Sequence, residues 1–203
     1  MAITAKQRLI KICELKMINK QMNAADVLKT QQWLKEIIIG LNFCPFAKKE
    51  FVNNTIHYQL CEAKKITLAL EELTKQFEKL VLEPNVETTL LIFNEGFKGF
   101  ENYLDLLDHA NDLLLALGYE GVFQLASFHP DYYFEGEPFN AASNYTNRSP
   151  LPTIHLIREA SMEKVLSVYK NPENIPDNNI VLAEKKGAHY FQTILQRIAK
   201  FHS

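Results

Sequence analysis

Short extended runs alternate with long amphipathic runs through the middle of the chain. Apolar and polar side chains alternate from Thr55 to Glu62, and residues 88–93 are β-prone and apolar after two threonines. Two further strands are predicted at 122–128 and 153–159. The segments that join the first three strands have their apolar residues at helical spacing. This alternation predicts an α/β fold.

We expect a mainly parallel sheet of about four strands, flanked by helices and preceded by an N-terminal helical segment. Strands joined by helical crossovers are parallel when they lie side by side in one sheet. The run at 88–93 lacks a polar face, which is typical of a central strand covered on both sides. The sequence predicts one domain over residues 1–203, with helical residues 1–43, a sheet core at 55–160 and C-terminal helices at 161–203 that break near Gly187.

Composition and charge exclude several classes of partner. The 22 basic and 24 acidic residues leave a formal net charge of −2, and no basic block of the kind that binds nucleic acid is present. The longest apolar runs, such as 113–117, are far shorter than the roughly 20 residues that cross a bilayer. We therefore expect neither nucleic acid nor a membrane as a partner.

Cysteine usage indicates a cytoplasmic location. Cys13, Cys44 and Cys61 are odd in number and widely spaced, which is not the pattern of a disulfide framework. Residues 1–22 also lack the uninterrupted apolar core of a signal peptide. A glycine-rich phosphate loop, a Gly-x-Ser-x-Gly elbow and a His-Glu-x-x-His helix are all absent from the sequence, which leaves the cofactor unknown.

The segment from His129 to Pro152 carries most of the candidate chemistry. No regular element is predicted there, and its aromatic residues favour an ordered loop over a disordered one. Ligands of open α/β sheets bind beyond the carboxyl ends of parallel strands, where His129 follows the third strand. We expect the loop to fold back toward the fourth strand and to form one pocket with its side chains.

The first interpretation of this pocket is an enzyme that binds a small carboxylate or phosphate metabolite. Arginine binds both anions with a planar fork, and histidine acts as an acid or a base. The candidate catalytic residues are His129 and His155. Arginine and asparagine also have ordinary structural uses, which stay open for each position. The candidate ligand-binding residues are Arg148, Arg158, Asn144, Asn147 and Glu159.

Two other interpretations use the same part of the chain. A metal-dependent hydrolase would combine His129 and His155 with a carboxylate such as Asp131 or Glu159, although no short two-histidine spacing supports such a site. A non-catalytic ligand-binding or protein-interaction module would instead use the aromatic loop at 131–150. The sequence alone does not choose among the three.

Cys44 is a separate candidate nucleophile. If Pro45 occupies the first position of a helix, Cys44 is its N-cap. The helix dipole and the nearby Lys48 and Lys49 would then lower the thiol pKa and favour a thiolate. A small, buried and unreactive cysteine is the more frequent alternative.

Five motifs, in the same order along the chain, resemble those of a known family. They are Gly-Leu-Asn-Phe-Cys-Pro-Phe-Ala at 40–47, Glu-Thr-Thr-Leu-Leu at 87–91, Gln-Leu-Ala-Ser-Phe-His-Pro at 124–130, Asn-Arg-Ser-Pro at 147–150 and His-Leu-Ile-Arg-Glu at 155–159. Together they resemble the bacterial family called domain of unknown function 1415, over nearly the whole chain from Trp33 to Gly187. The resemblance implies no particular reaction, cofactor or catalytic residue.

Overall fold

The structure, a computed structural model, describes residues 23–200 of the chain. Residues 1–22 of the helical segment expected at 1–43 lie outside these residues. Residues 23–33 form helix α1, which continues directly as a π-helical segment, Leu34–Ile39.

Each predicted strand forms within one residue of its expected bounds. The further helices and strands are α2 (Ala47–Asn53), β1 (Ile56–Cys61), α3 (Ile66–Leu82), β2 (Thr88–Phe93), α4 (Phe100–Ala116), β3 (Phe123–Phe128), β4 (Thr153–Arg158), α5 (Glu159–Leu166), α6 (Ile175–Lys186) and α7 (Ala188–Ala199), with short 3-10 turns at Ala142–Thr146 and Pro172–Asn174.

The four strands form one open sheet in the order β1-β2-β4-β3. β1 pairs with β2 in parallel, whereas β4 lies antiparallel between β2 and β3. The α/β class and the four strands are confirmed, but the expectation of a mainly parallel sheet is wrong, since two of the three pairings are antiparallel. The reason is that β4 starts beside Phe128, where β3 ends, so the chain returns along the sheet in the opposite direction.

Helices cover both faces of this sheet. Leu91 and Phe93 of β2 pack with α3 and α4, whereas the alternate residues Leu90 and Ile92 pack with the π-helical segment, α6 and α7. β2 is buried along its whole length, as expected for a central strand. Right-handed crossovers that advance in one direction across a sheet place their helices on one face, which accounts for the shared position of α3 and α4.

The C-terminal helices α6 and α7 break at Gly187, as the sequence predicts. The φ angle of Gly187 is +78°, a conformation that favours glycine because a side chain would be strained there. α7 then presents Phe191 and Ile198 to the core of the second layer. Within residues 23–200, no helix is both long enough and apolar enough to cross a membrane.

Tyr103 ties α4 to the point where β3 ends and β4 begins. Its buried hydroxyl donates to the Thr153 carbonyl at 2.8 Å and accepts from the Phe128 backbone N–H at 3.2 Å. Phe128 and Thr153 are direct partners in the β3–β4 ladder. One hydroxyl therefore holds both ends of the long segment 129–152.

Replacing Tyr103 with phenylalanine tests this tie. We expect Tyr103→Phe to lower the free energy of unfolding by about 1–3 kcal/mol, because a buried N–H and a buried carbonyl each lose a partner. Urea denaturation monitored by circular dichroism measures the change. The matched control is Tyr133→Phe, whose hydroxyl donates to Glu101 at the surface and whose loss should change stability by less than about 0.5 kcal/mol. Equal effects of the two substitutions would mean that the Tyr103 hydroxyl does not hold the ends of the segment 129–152.

Candidate functional site

The two candidate histidines lie on opposite faces of the sheet. The His129 ring packs against Phe100 and Tyr103 of α4, with ring centroids 5.2 and 5.1 Å apart. His155 faces the other layer, with its ring centroid 6.4 Å from that of Phe128. The expected pocket with both imidazoles is therefore not formed, and neither is a metal shell that combines them. No group of three or more His, Cys, Asp or Glu side chains in the described part of the chain is placed to hold a metal ion.

His129 uses both ring nitrogens to hold the backbone. The N–H of Asp131 donates to Nδ1 at 3.0 Å, so in the neutral ring Nε2 carries the proton and donates to the Phe97 carbonyl at 3.0 Å. Burial lowers the pKa of His129, which favours this neutral form. The histidine predicted to be catalytic thus fastens the start of the long segment to the β2–α4 loop.

Arg148 lies inside the long segment, where it was predicted to hold an anion. Its Nε donates to the Tyr132 carbonyl at 2.9 Å and its Nη2 to the Phe139 carbonyl at 2.6 Å. The guanidinium carbon lies 4.5 and 4.6 Å from the ring centroids of Phe139 and Tyr145. Arg148 is only 6% exposed, so its guanidinium serves as a hydrogen-bond donor to carbonyls inside the loop and is not presented to a pocket.

Asn144 and Asn147 supply amide groups to backbone that has no sheet or helix partner. The buried Asn144 accepts from the Phe134 N–H at 3.0 Å and donates to the carbonyls of Pro138 and Phe139 at 2.8 and 3.1 Å. Asn147 Nδ2 donates to the Ser127 carbonyl at 3.2 Å. Both side chains hold the loop in place, which is the structural use that the sequence left open.

Arg158 and Glu159 lie at the edge of the sheet opposite His129. Because β4 is antiparallel, its end is one strand length, about 17 Å, from the edge where β3 ends. Arg158 faces the same layer as Ile154 and Leu156, as strand alternation predicts. Its Nη2 donates to the Leu80 carbonyl in the last turn of α3 and to the Val86 carbonyl in the loop that follows. Glu159 begins α5. These two residues do not join the other candidates.

Cys44, His155 and Asn147 are instead brought to two adjoining cavities on the face covered by α1, α6 and α7. The inner cavity, of about 40 Å³, is lined by Cys44, His155 and residues of α1, the π-helical segment, α2, β1 and β2. The outer cleft, of about 350 Å³, lies between the π-helical segment, α6 and the loop that contains Asn147. Three residues line both spaces, so the two spaces adjoin; they are Ile38, Cys44 and Phe128.

His155 is a neutral group in the wall of the inner cavity. Its Nε2 lies 2.6 Å from Thr88 Oγ1, and that hydroxyl donates its own proton to the Leu156 carbonyl. Nε2 therefore donates to Thr88, which places the ring proton on that nitrogen. Burial lowers the pKa of His155 to about 4, so the ring carries no charge at neutral pH.

Cys44 is not the N-cap that the sequence suggested. The N-cap of α2 is Phe46, and Pro45 precedes the helix. Burial raises the pKa of the Cys44 thiol, and the backbone N–H groups of Phe46 and Ala47 offset only part of that rise. The expected lowering of the pKa is thus reversed, and Cys44, which lines both spaces, carries a protonated thiol at neutral pH.

Glu50 lines the inner cavity and was missed by sequence reasoning. Its Oε2 accepts from Thr55 Oγ1 at 2.5 Å, and the residue is only 3% exposed. The signal was present in the helical spacing, because Glu50 follows Ala47 by three residues and Phe46 by four, and both of these are buried. A carboxylate on the apolar face of a helix is the unusual feature that this spacing could have identified.

The family comparison covers the whole of this site. Residues 26–193 match the model of a family described as Protein of unknown function (DUF1415). The chain belongs to this family. The match confirms the resemblance that the five sequence motifs carry, and it includes the residues that line both cavities. No curated protein and no solved structure matches the chain.

Arg148→Ala is expected to destabilise the protein by about 3 kcal/mol or more. The substitution leaves two loop carbonyls without their donor and removes the cation between two rings. Urea denaturation without any ligand measures the effect. Arg197→Ala is the matched control, because that arginine pairs with Glu36 at the surface and should contribute less than about 1 kcal/mol. A drop as small as that of the control would return Arg148 to the list of ligand-binding candidates.

Acid is expected to destabilise the fold through His155. The unfolded side chain binds a proton as the pH falls below 6.5, whereas the folded one resists until about pH 4, so stability present at neutral pH is lost as the pH falls between these values. From about pH 7 to about pH 4.5, we expect wild-type protein to lose roughly 2 kcal/mol more unfolding free energy than His155→Gln. Urea denaturation at both pH values measures the difference. Exposed His189 supplies the control, since His189→Gln should keep the wild-type dependence; an unchanged dependence in His155→Gln would contradict the assignment.

Proposed function

We propose that the protein binds a small uncharged molecule, with one end enclosed in the inner cavity and the rest in the outer cleft. The observation that carries the proposal is that a small apolar cavity adjoins a larger open cleft, with Ile38, Cys44 and Phe128 in the walls of both. Ligand sites in proteins are typically concave, mostly apolar and supplied with a few polar groups. This pair of spaces has those properties.

The charges around the two spaces support an uncharged ligand. No charged side chain within residues 23–200 lines the outer cleft. The inner cavity contains Glu50 and the neutral His155, and neither would stabilise a desolvated anion. Arg148, the arginine expected to hold a carboxylate or phosphate, donates to backbone carbonyls. An anionic metabolite is therefore a poorer fit than a neutral one.

The polar groups favour binding over catalysis. Cys44 and His155, two of the three side chains predicted as catalytic, line the same cavity. However, burial raises the pKa of the thiol, and the His155 Nε2 proton is donated to Thr88. A protonated thiol beside an occupied imidazole nitrogen is a weak nucleophile. We assign the pair to the wall of a binding site.

The aromatic loop supports this assignment more than it supports a protein-interaction module. Tyr145 is buried, and the Phe134 backbone is held by Asn144. Phe134 also lines the outer cleft. Tyr133 and Phe139 are the loop aromatics with substantial exposure, at 37% and 56%. Two exposed rings make a smaller apolar surface than a stable protein interface needs.

Binding of hexan-1-ol tests the proposal. At ten times its dissociation constant, a ligand adds about 1.4 kcal/mol to stability, which raises the melting temperature of a chain of this size by about 4 °C. We expect that rise in a thermal shift assay for hexan-1-ol and no rise for hexanoate, the anion with the same chain. Isothermal titration calorimetry measures the two affinities directly.

Neighbouring residues of α6 provide the matched variants. Ile180 lines the outer cleft, whereas Val181 points away from it and is 67% exposed. Ile180→Trp should fill the cleft and abolish the response to hexan-1-ol, while Val181→Trp should keep it. A response that survives in Ile180→Trp would place binding elsewhere, and a response to hexanoate as large as that to hexan-1-ol would reject the uncharged ligand.

A further inference from the structure

We infer that the ligand is a straight-chain aliphatic molecule whose unbranched hydrocarbon end enters the inner cavity, while its polar group stays in the outer cleft. The inference rests on the proposed function, because it requires a ligand that occupies both spaces. It goes further by assigning the shape of the enclosed end and the orientation of the molecule.

The inner cavity presents a surface that is almost entirely apolar. Aromatic and aliphatic side chains from α1, the π-helical segment, α2 with its N-cap, β1 and β2 form most of the wall. Apart from the residues shared with the outer cleft, they are Trp33, Leu34, Phe46, Ala47, Ile56 and Leu90. A hydroxyl group enclosed by such a wall would lose its hydrogen bonds to water without replacement, which is unfavourable.

The polar side chains in this wall are paired with other protein groups. Thr88 accepts from His155 Nε2 at 2.6 Å. Glu50 accepts from Thr55 Oγ1 at 2.5 Å, and its second oxygen lies 3.1 Å from Nζ of Lys49. Together with the apolar surface, these pairings make hydrocarbon the chemical group that the inner cavity accommodates.

The volume of the inner cavity excludes a branched or cyclic end. Its volume of about 40 Å³ exceeds the roughly 10–15 Å³ that one water needs, but it is far below the roughly 150 Å³ that holds a benzene ring. Trp33 and Leu90 belong to the close-packed core of the second layer, so the wall does not widen readily. The cavity therefore has space for a few carbon atoms in a row.

The outer cleft has the polar groups that the inner cavity lacks. Thr146, Asn147 and Asn179 line the outer cleft but not the inner cavity, and the cleft is open to solvent. A hydroxyl group placed there keeps contact with water and is within the reach of hydroxyl and amide partners. The two spaces thus favour a molecule that is polar at one end only, with its hydrocarbon end directed inward.

Two alcohols of the same formula test the shape of the enclosed end. Hexan-1-ol has a straight hydrocarbon end, whereas 3,3-dimethylbutan-1-ol ends in a tert-butyl group, which the inner cavity is too small to hold. Each methylene removed from water contributes about fourfold to affinity. With two or more carbon atoms enclosed, we expect wild-type protein to bind the straight isomer roughly tenfold more tightly in isothermal titration calorimetry.

Hexane-1,6-diol tests the orientation. It has the carbon chain of hexan-1-ol but a hydroxyl group at each end, so either a hydroxyl enters the apolar cavity or the chain leaves it. We expect wild-type protein to bind the diol at least about tenfold more weakly than hexan-1-ol.

Ala47→Val localises both preferences. The larger side chain fills part of the inner cavity, so the variant should bind the two isomers within about twofold of each other, and the difference between hexan-1-ol and the diol should narrow. Ala116→Val, at the exposed end of α4, is the matched control and should keep the wild-type preferences. If Ala47→Val fails to fold, Ile56→Val supplies a second readout, because it removes a methyl group from the wall and should improve binding of the branched isomer.

The outcomes separate this inference from the proposed function. Equal affinity of wild-type protein for the two isomers, or for hexan-1-ol and the diol, would overturn the inference and leave binding in the outer cleft intact. Preferences that persist in Ala47→Val would place the enclosed end elsewhere and would also overturn it. Failure of all three probes to bind would instead reject the proposed function itself.

Discussion

The antiparallel insertion of β4 between β2 and β3 is the constraint on which the rest of the structure depends. Residues 153–157 of β4 are paired on both sides, and Arg158 is paired with β3, so the side chains of the strand have no freedom to change face. This register directs His155 into the layer of α6 and α7, and it carries Arg158 to the end of α3. The Tyr103 hydroxyl fixes the same register at the start of the strand. The distribution of polar groups follows from that one pairing.

The segment between β3 and β4 supplies hydrogen-bond partners for its own backbone groups. A long connection without helix or strand leaves many N–H and carbonyl groups unpaired, and such groups must find partners when they are buried. Arg148 and Asn144 meet that need with charged and amide donors, and His129 fixes the beginning of the segment. The side chains that were predicted to form an anion site therefore hold the backbone of this segment in place. It also shapes one wall of the outer cleft through Phe134 and Asn147.

The inner cavity is a local exception to close packing. An unfilled space of about 40 Å³ costs on the order of 1 kcal/mol, by the usual relation between cavity volume and stability. The Glu50 carboxylate in the wall of that space is paired with Thr55 and Lys49. A ligand that filled this space, as we propose, would offset the cost of the unfilled cavity.

The sequence alone determined the features that depend on local periodicity. The bounds of the strands, the amphipathic α3 and α4, the break at Gly187 and the family all follow from neighbouring residues, because alternation and helical spacing specify which backbone can bury an apolar face. Only the tertiary structure decided the order of the strands, the partners of Arg148 and Arg158, and the meeting of Cys44 with His155 and Glu50. These depend on contacts between distant segments, and an arginine or histidine has the same local pattern whether it binds a ligand or a backbone carbonyl. The free energy of such nonlocal pairing is set by burial and geometry, which no single stretch of sequence contains.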